Sequence, residues 1–278
     1  MKIKANAKIN LTLDILGIRE DGYHAIRSVM APVSLCDELV IEKGNGLSFN
    51  CNIPELCGED NLCVRAARLF YKQSGLVPSV NIYLEKKVPF PAGLGGGSAD
   101  AAAVLRSLNE LYSRPLEENE LFALAASLGS DIPFCLLGAP ALCEGRGEAL
   151  TPISSIYGFE IVIAIGKGRL STAAVYREYD ASGIAPRNDT NRFLAALECG
   201  DRSALVASMG NAFEPIADKL CPETKTLREE MLSLGALNAR LSGSGPSVFG
   251  VFADKETAEK AAAELRNKSY FAVNCSII

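Results

Sequence analysis

Residues 91–98 read PAGLGGGS and hold four glycines in five positions, Gly93, Gly95, Gly96 and Gly97. No other stretch restricts the architecture as tightly. Before it, Val80, Ile82 and Leu84 alternate as in a strand with one buried face. After it, Val104, Leu105, Leu108, Leu111 and Tyr112 recur at helical spacing. The glycines therefore lie in a loop between a strand and a helix N-terminus. Glycine adopts positive φ and lets a ligand approach the backbone. The first helical amides lack partners and carry the positive end of the dipole. The combination suits a phosphate chain. The plain alternative is a flexible turn, but this many glycines exceed what a turn requires.

Several nucleotide-binding classes are excluded by spacing. A Walker loop needs Gly-Lys followed by Ser or Thr, and the only Gly-Lys, Gly166-Lys167, is followed by Gly168. A dinucleotide fingerprint needs glycine where Ser98 stands, and an early strand–loop–helix unit. A protein-kinase catalytic loop needs His-Arg-Asp, whereas the single histidine, His24, precedes Ala25.

From residue 2 to residue 15 apolar and polar positions alternate, predicting one strand with a buried face. Lys8 and Asn10 then point the same way, about 7 Å apart. They belong either to a solvated face or to the lining of a cleft. Asp21-Gly22 marks a turn that presents Tyr23 and His24. Further strand is expected over 29–41, and Glu59-Asp60-Asn61 is placed to cap a helix carrying Leu62, Ala66, Leu69 and Phe70. Another helix is expected over 117–128. Asp131 precedes Ile132-Pro133, where an N-cap is the simplest role and work on a proton the other.

The organisation restarts near residue 155, which predicts domains over 1–155 and 156–278. In the second, strands are expected over 159–165, 236–241, 248–252 and 271–277, and helices over 202–212, 223–234 and 254–266. The segment 167–192 reads as polar and less regular. Strand and helix alternate around a hairpin-like pair, predicting a split βαβ, ferredoxin-like half. Nine scattered cysteines without a Cys-x-x-Cys pair read as reduced thiols, and the N-terminus lacks a signal-peptide stretch, so a cytoplasmic protein is expected. The longest apolar runs are too short for a membrane span, and the net charge of −5 argues against a nucleic-acid partner. Oligomeric state is not encoded in any pattern.

Three stretches together resemble the GHMP small-molecule kinases, which include galactokinase, homoserine kinase, mevalonate kinase and phosphomevalonate kinase. They are AKINLTL at 7–13, PAGLGGGSADAA at 91–102 and RLSGSGPSVFGVF at 240–252. The segments AKINLTLDILGIREDGYH at 7–24, EDNLCVRAARL at 59–69 and LGSDIPFCLLG at 128–138 bring it closest to the branch acting on a cytidine-diphosphate-linked sugar alcohol of the non-mevalonate isoprenoid route. The resemblance implies a two-domain α+β fold, its N-terminal half like a ribosomal-protein domain and its C-terminal half ferredoxin-like. The active site is expected in the cleft between them. It implies ATP as cofactor, with Mg²⁺ held by ligands that the motifs do not name; Ser98 and Asp100 are candidates. It implies that Lys8 and Asp131 are catalytic and that Asn10 contacts substrate. Pro91, Ala92, Gly93, Leu94, Gly95, Gly96, Gly97, Ser98 and Ala99 would cradle the phosphates, and Asn61 and Lys86 would bound the adenine. Tyr23, His24 and Tyr176 would receive the cytosine, and Gly243 and Gly245 would close near the substrate phosphates. This chain departs from the family at Ala99, where a second serine is frequent, and at Pro91-Ala92, which is not the usual start of the loop.

Two other readings compete. One is a kinase of the same family acting on homoserine or a mevalonate, which would leave Tyr23 and His24 without a base to bind. The other is a non-catalytic nucleotide- or RNA-binding module, against which the acidic balance and the presence of both Lys8 and Asp131 weigh.

Overall fold

A computed structural model of the chain describes residues 1–153, 156 and 158–278. Four strands open it: β1 (Lys2–Asn10), β2 (Thr12–Ile18), β3 (His24–Lys43) and β4 (Gly46–Cys51). Then come α1 (Leu62–Ser74), β5 (Ser79–Glu85), α2 (Gly96–Leu111), α3 (Glu118–Leu128) and α4 (Ile132–Leu137). Strands β6 (Ala141–Gly145), β7 (Ala149–Pro152) and β8 (Glu160–Ile165) follow. The remainder is α5 (Thr172–Ser182), α6 (Asp189–Cys199), α7 (Arg202–Ala207), β9 (Gly210–Asn211), α8 (Glu214–Leu220), α9 (Glu223–Ser233), β10 (Asn238–Leu241), β11 (Val248–Phe252), α10 (Lys255–Asn267) and β12 (Phe271–Ser276).

Packing groups these elements into two compact units that interleave along the chain. The first holds residues 1–8, 35–90 and 95–139; the second holds 9–34, 91–94 and 140–278. Residue 155, the expected end of the N-terminal domain, lies outside the described residues.

In the first unit β5 pairs antiparallel with the C-terminal half of β3 and parallel with β4. Leu39, Ile41, Val80, Ile82 and Leu84 bury one sheet face against Phe70 of α1 and Val104, Leu105 and Leu108 of α2. The strand and helix predicted on either side of the glycines are both present. Helix α3 begins with a capping box between Glu117 and Glu120. Of Glu59, Asp60 and Asn61 it is Asn61 that caps α1, its side chain accepting from the Cys63 amide at 2.8 Å.

In the second unit β2 pairs with the N-terminal half of β3 and, in parallel, with β9. A separate antiparallel sheet runs β10-β11-β8-β12. Taken in chain order, with β8 first and β12 last, this is the split βαβ arrangement of a ferredoxin-like half, as the sequence predicts. Its strands are buried on both faces along β11 and nearly so along β8.

Three expectations need correction. The helix expected over 202–212 ends at Ala207, and Gly210–Asn211 form β9. The alternating stretch 2–15 is two strands, broken at Leu11, whose amide donates to Val29. From Ala7 to Asp14 both its faces are buried, so Lys8, Asn10, Thr12 and Asp14 form no solvated face. Asp14 accepts from the amides of Asp189 and Thr190 at the start of α6, and Thr12 bonds Val29 and Thr190. The segment 167–192 is largely helical, in α5 and the start of α6. Its polar face hid a pattern in which only Val175 and Tyr179 of α5 are buried.

Candidate active site

In the first unit, Lys8 is buried near the end of β1, with 4% of its surface exposed. Its ammonium lies 3.4 Å from Asp131 Oδ2. Asp131 stands at the N-cap of α4 but makes no side-chain capping bond. The simplest role for that aspartate is therefore not the one it takes: its carboxylate turns to the lysine.

The lysine stem also bears on the glycine loop. Gly95 is left-handed, φ +66°, and a Cβ there would fall 2.8 Å from Lys8 Cγ. Helix α2 starts at Gly96, so Gly96, Gly97 and Ser98 form its first turn, and their amides are those that an α-helix leaves without internal partners. At Gly97 a Cβ would meet only Leu62 at 3.5 Å, an ordinary contact.

Beneath this turn lies a buried charge cluster. Lys86 Nζ donates to Asp37 Oδ2 at 2.5 Å and to Asp100 Oδ2 at 2.7 Å, all three side chains at most 3% exposed. The other Asp37 oxygen accepts from the amides of Lys87 and Val88. Asp100 Oδ1 is buried and makes no hydrogen bond. Burial pushes the Asp100 carboxyl up to about 7; Lys86 pulls against this shift and the Asp37 charge adds to it. Burial disfavours the Lys86 ammonium, but the two carboxylates outweigh it and its pKa is raised. Lys86 and Asn61 were both expected at the adenine. The Lys86 ammonium is committed to the two aspartates, and the Asn61 amide to Cys63 and to the Leu56 carbonyl.

In the second unit, Gly93 is left-handed, φ +76°, and a Cβ there would clash with the Ser242 carbonyl oxygen. Ser242 Oγ donates to the Gly93 carbonyl at 3.1 Å, and the Ser247 amide and hydroxyl both donate to the Ala92 carbonyl. The third glycine stretch thus braces the start of the first. Gly243 and Gly245 are left-handed as well, and the Gly243 Cβ position lies 3.5 Å from Asn10 Oδ1. Asn10 Nδ2 donates to Ser28 Oγ at 2.8 Å, which fixes its carboxamide.

The same unit gathers the expected base-binding side chains. Asp21 accepts from the Tyr23 amide, forming the turn, and Tyr23 is exposed, with the Arg146 guanidinium 5.0 Å from its ring centre. His24 and Tyr176 rings lie 4.6 Å apart, and Tyr176 meets Phe213 edge-on at 4.7 Å. His24 Nε2 bonds Asp180 Oδ1 at 2.6 Å, so Nε2 carries a hydrogen, because a carboxylate only accepts. Asp37, Asp180, Arg146 and Phe213 were not among the expected site residues. Asp180 was legible, lying four residues after Tyr176 on one helix face. Asp37, inside a long strand, carries no local signal.

Among the described residues no group of three or more His, Cys, Asp or Glu side chains is arranged to hold a metal ion. Nor is any helix among them long and apolar enough to cross a membrane.

Comparison with known proteins gives the family. Residues 61–139 match the family described as GHMP kinases N terminal domain, and residues 193–270 that described as GHMP kinases C terminal. The chain is 42% identical over 270 residues to a 4-diphosphocytidyl-2-C-methyl-D-erythritol kinase from Syntrophomonas wolfei, covering 96% of this chain and 94% of that one. It is 43% identical over 269 residues to the protein of that name from Symbiobacterium thermophilum, covering 96% and 95%. A crystal structure of 4-(cytidine 5'-diphospho)-2C-methyl-D-erythritol kinase aligns with a TM-score of 0.86 at 39% identity, covering 99% of this chain and 98% of the other. A homoserine kinase from Cytophaga hutchinsonii aligns at 0.75 with 19% identity, covering 100% and 94%, a likeness of fold alone.

Proposed function

The chain belongs to the 4-diphosphocytidyl-2-C-methyl-D-erythritol kinase family of the GHMP kinases, and on that premise we infer that it transfers the γ-phosphoryl group of ATP to the 2-hydroxyl of 4-diphosphocytidyl-2-C-methyl-D-erythritol. The observation that carries this reading is the Lys8–Asp131 pair, a carboxylate withdrawn from its cap to face an ammonium. Asp131 would accept or orient the hydroxyl proton, and Lys8 would stabilise charge on the attacking oxygen. Phosphoryl transfer asks chiefly for such positioning and charge stabilisation.

The triphosphate would rest on the amides of Gly95, Gly96, Gly97 and Ser98, with Pro91, Ala92, Gly93, Leu94 and Ala99 shaping the turn. Mg²⁺, if carried by the triphosphate, would find its protein oxygen at Ser98, because Asp100 is held by Lys86; bound there, it would offset phosphate charge. Asn61 and Lys86 would bound the adenine through backbone and stem, since their polar ends are engaged. Tyr23, His24 and Tyr176 would hold the cytosine, and Asn10, Gly243 and Gly245 the rest of the acceptor. The rings gathered around His24 favour a substrate with a nucleobase over homoserine or mevalonate.

The test is ADP release with the cytidine diphosphate substrate set beside homoserine and mevalonate, followed by phosphorus NMR of the product. Turnover with the cytidine substrate alone and a phosphate on the tertiary hydroxyl is expected. Turnover only with another acceptor would overturn the assignment.

A further inference from the structure

Asn211 is fully buried in β9, a strand of two residues held to β2 on both sides: the Gly210 amide donates to Leu11 and the Ala212 amide to Leu13. Its side chain spends its polar atoms elsewhere. Nδ2 donates to the Leu241 carbonyl at 2.9 Å and to the Gly243 carbonyl at 2.8 Å, and Oδ1 accepts from the Phe213 amide at 2.9 Å. Two donors and one acceptor within one small group are what a carboxamide supplies; a carboxylate has no donor. On one side the bonds run into the 242–247 loop, whose serines hold the carbonyls of Ala92 and Gly93. On the other, Phe213 bears edge-on on Tyr176 and on Tyr179, and Tyr176 faces His24.

We propose that Asn211 is a positioning residue that holds the 242–247 loop and the Phe213–Tyr176 wall in one fixed register, so that the brace behind the glycine loop and the base-binding wall move together. That these two parts bind substrate rests on the proposed function; that Asn211 joins them does not. Of the Asn211 atoms only Nδ2 reaches the 242–247 loop and only Oδ1 reaches the Phe213 amide, so the two ends separate by substitution. Asn211→Asp keeps the acceptor, loses both donors and sets a carboxylate against two carbonyl oxygens. Asn211→Ala loses everything.

Hydrogen–deuterium exchange on the full chain, without substrate, reads the link directly. Asn211→Asp should speed exchange at 242–247 and 92–94 and leave 212–213 near wild type, whereas Asn211→Ala should speed all three. In turnover, Asn211→Asp should lower kcat at least about tenfold with binding of cytidine 5'-monophosphate unchanged, and Asn211→Ala should also weaken that binding about threefold. Ser247→Ala removes the hydroxyl half of the next link and leaves only the amide bond to Ala92; it should lower kcat in the same sense with unchanged monophosphate binding, which keeps the inference open to test should Asn211→Asp not fold. Wild-type exchange at 242–247 and wild-type kcat in Asn211→Asp, or wild-type kcat in Ser247→Ala, would overturn it. So would equal loosening of the whole chain in both Asn211 variants. A wild-type chain that does not phosphorylate the cytidine substrate would instead overturn the proposed function, leaving exchange to decide on Asn211.

Discussion

Asp131 stands at the N-cap of α4, and its carboxylate lies 3.4 Å from Lys8 Nζ instead of on the helix amides. An N-cap aspartate ordinarily stabilises a helix by about 1 kcal/mol. Helix α4 forgoes that and keeps Pro133 in its first turn, where no amide needs a partner. On the proposed function, that carboxylate faces the acceptor hydroxyl.

Asp131→Asn should therefore lower kcat by roughly 10²–10⁴. Steady-state ADP release and calorimetry with a non-hydrolysable ATP analogue separate chemistry from binding. An Asp131→Asn variant that binds both substrates and turns over near the wild-type rate would remove Asp131 from the reaction.

The glycines divide by what surrounds them. Gly97 has no positive φ and room for a methyl group, so Gly97→Ala should keep or raise stability by up to about 1 kcal/mol. If the first turn of α2 receives the triphosphate, the same methyl group should raise the KM for ATP. Gly93→Ala places a carbon against the backbone oxygen of Ser242 and should lose stability and activity together. Urea melts beside ATP titrations decide it; an unchanged ATP KM in Gly97→Ala would move the triphosphate elsewhere.

Most of the fold was legible because its signals are local. Alternation marked β5 and the start of β1, and helical spacing marked α1 and α2. The ferredoxin-like order of the second sheet followed from strand and helix alternating around a hairpin-like pair. The misreadings share one cause. For Lys8, Asn10, Thr12 and Asp14 the alternation leaves a solvated face and a cleft lining both open, because polar type does not fix exposure; tertiary partners such as Ser28 and the α6 amides bury them. Likewise Lys86 is set by Asp37 and Asp100, 49 and 14 residues away, and no spacing rule reaches that far. Pairings of this kind are made by packing, so only the Lys8–Asp131 pair was expected, and that through resemblance.

Tyr176 lies between His24 and Phe213. Such aromatic pairs contribute about 0.5–1.5 kcal/mol each beyond burial. Tyr176→Ala should raise the KM for the cytidine substrate by roughly three- to tenfold and leave the KM for ATP alone. A matching rise in both constants would show that the ring supports the fold and not the base.

Lys86 sets one ammonium against two buried carboxyl groups. Removing it leaves Asp37 uncompensated, and Asp100 too wherever it is ionised, and breaking a buried pair costs about 3–5 kcal/mol. Lys86→Met should lose about that much in urea unfolding. Lys86→Arg should not restore it, because a Cβ at Gly96 would already stand 2.9 Å from Nζ and leaves the larger guanidinium no room on that side. Full stability in the arginine variant would mean that the turn yields.

Asp100 makes the same cluster sensitive to pH, and the sign follows from its surroundings. Its carboxyl is raised from the ordinary 3.8 to about 7, first by burial and then by Asp37, against the pull of Lys86. Between those values the folded chain retains a proton that the unfolded chain has released. The contribution of this group to stability is therefore greatest below about pH 4, falls as pH rises towards about 7, and changes no further above it. Asp100→Asn has no proton to lose at that site and no surplus charge against Asp37. The thermal midpoint of the variant minus that of the wild type should climb between about pH 4 and pH 7 and then level, other titrating groups cancelling in the difference. A difference that stays constant across that window would mean that Asp100 is already ionised throughout, with Lys86 holding two full charges.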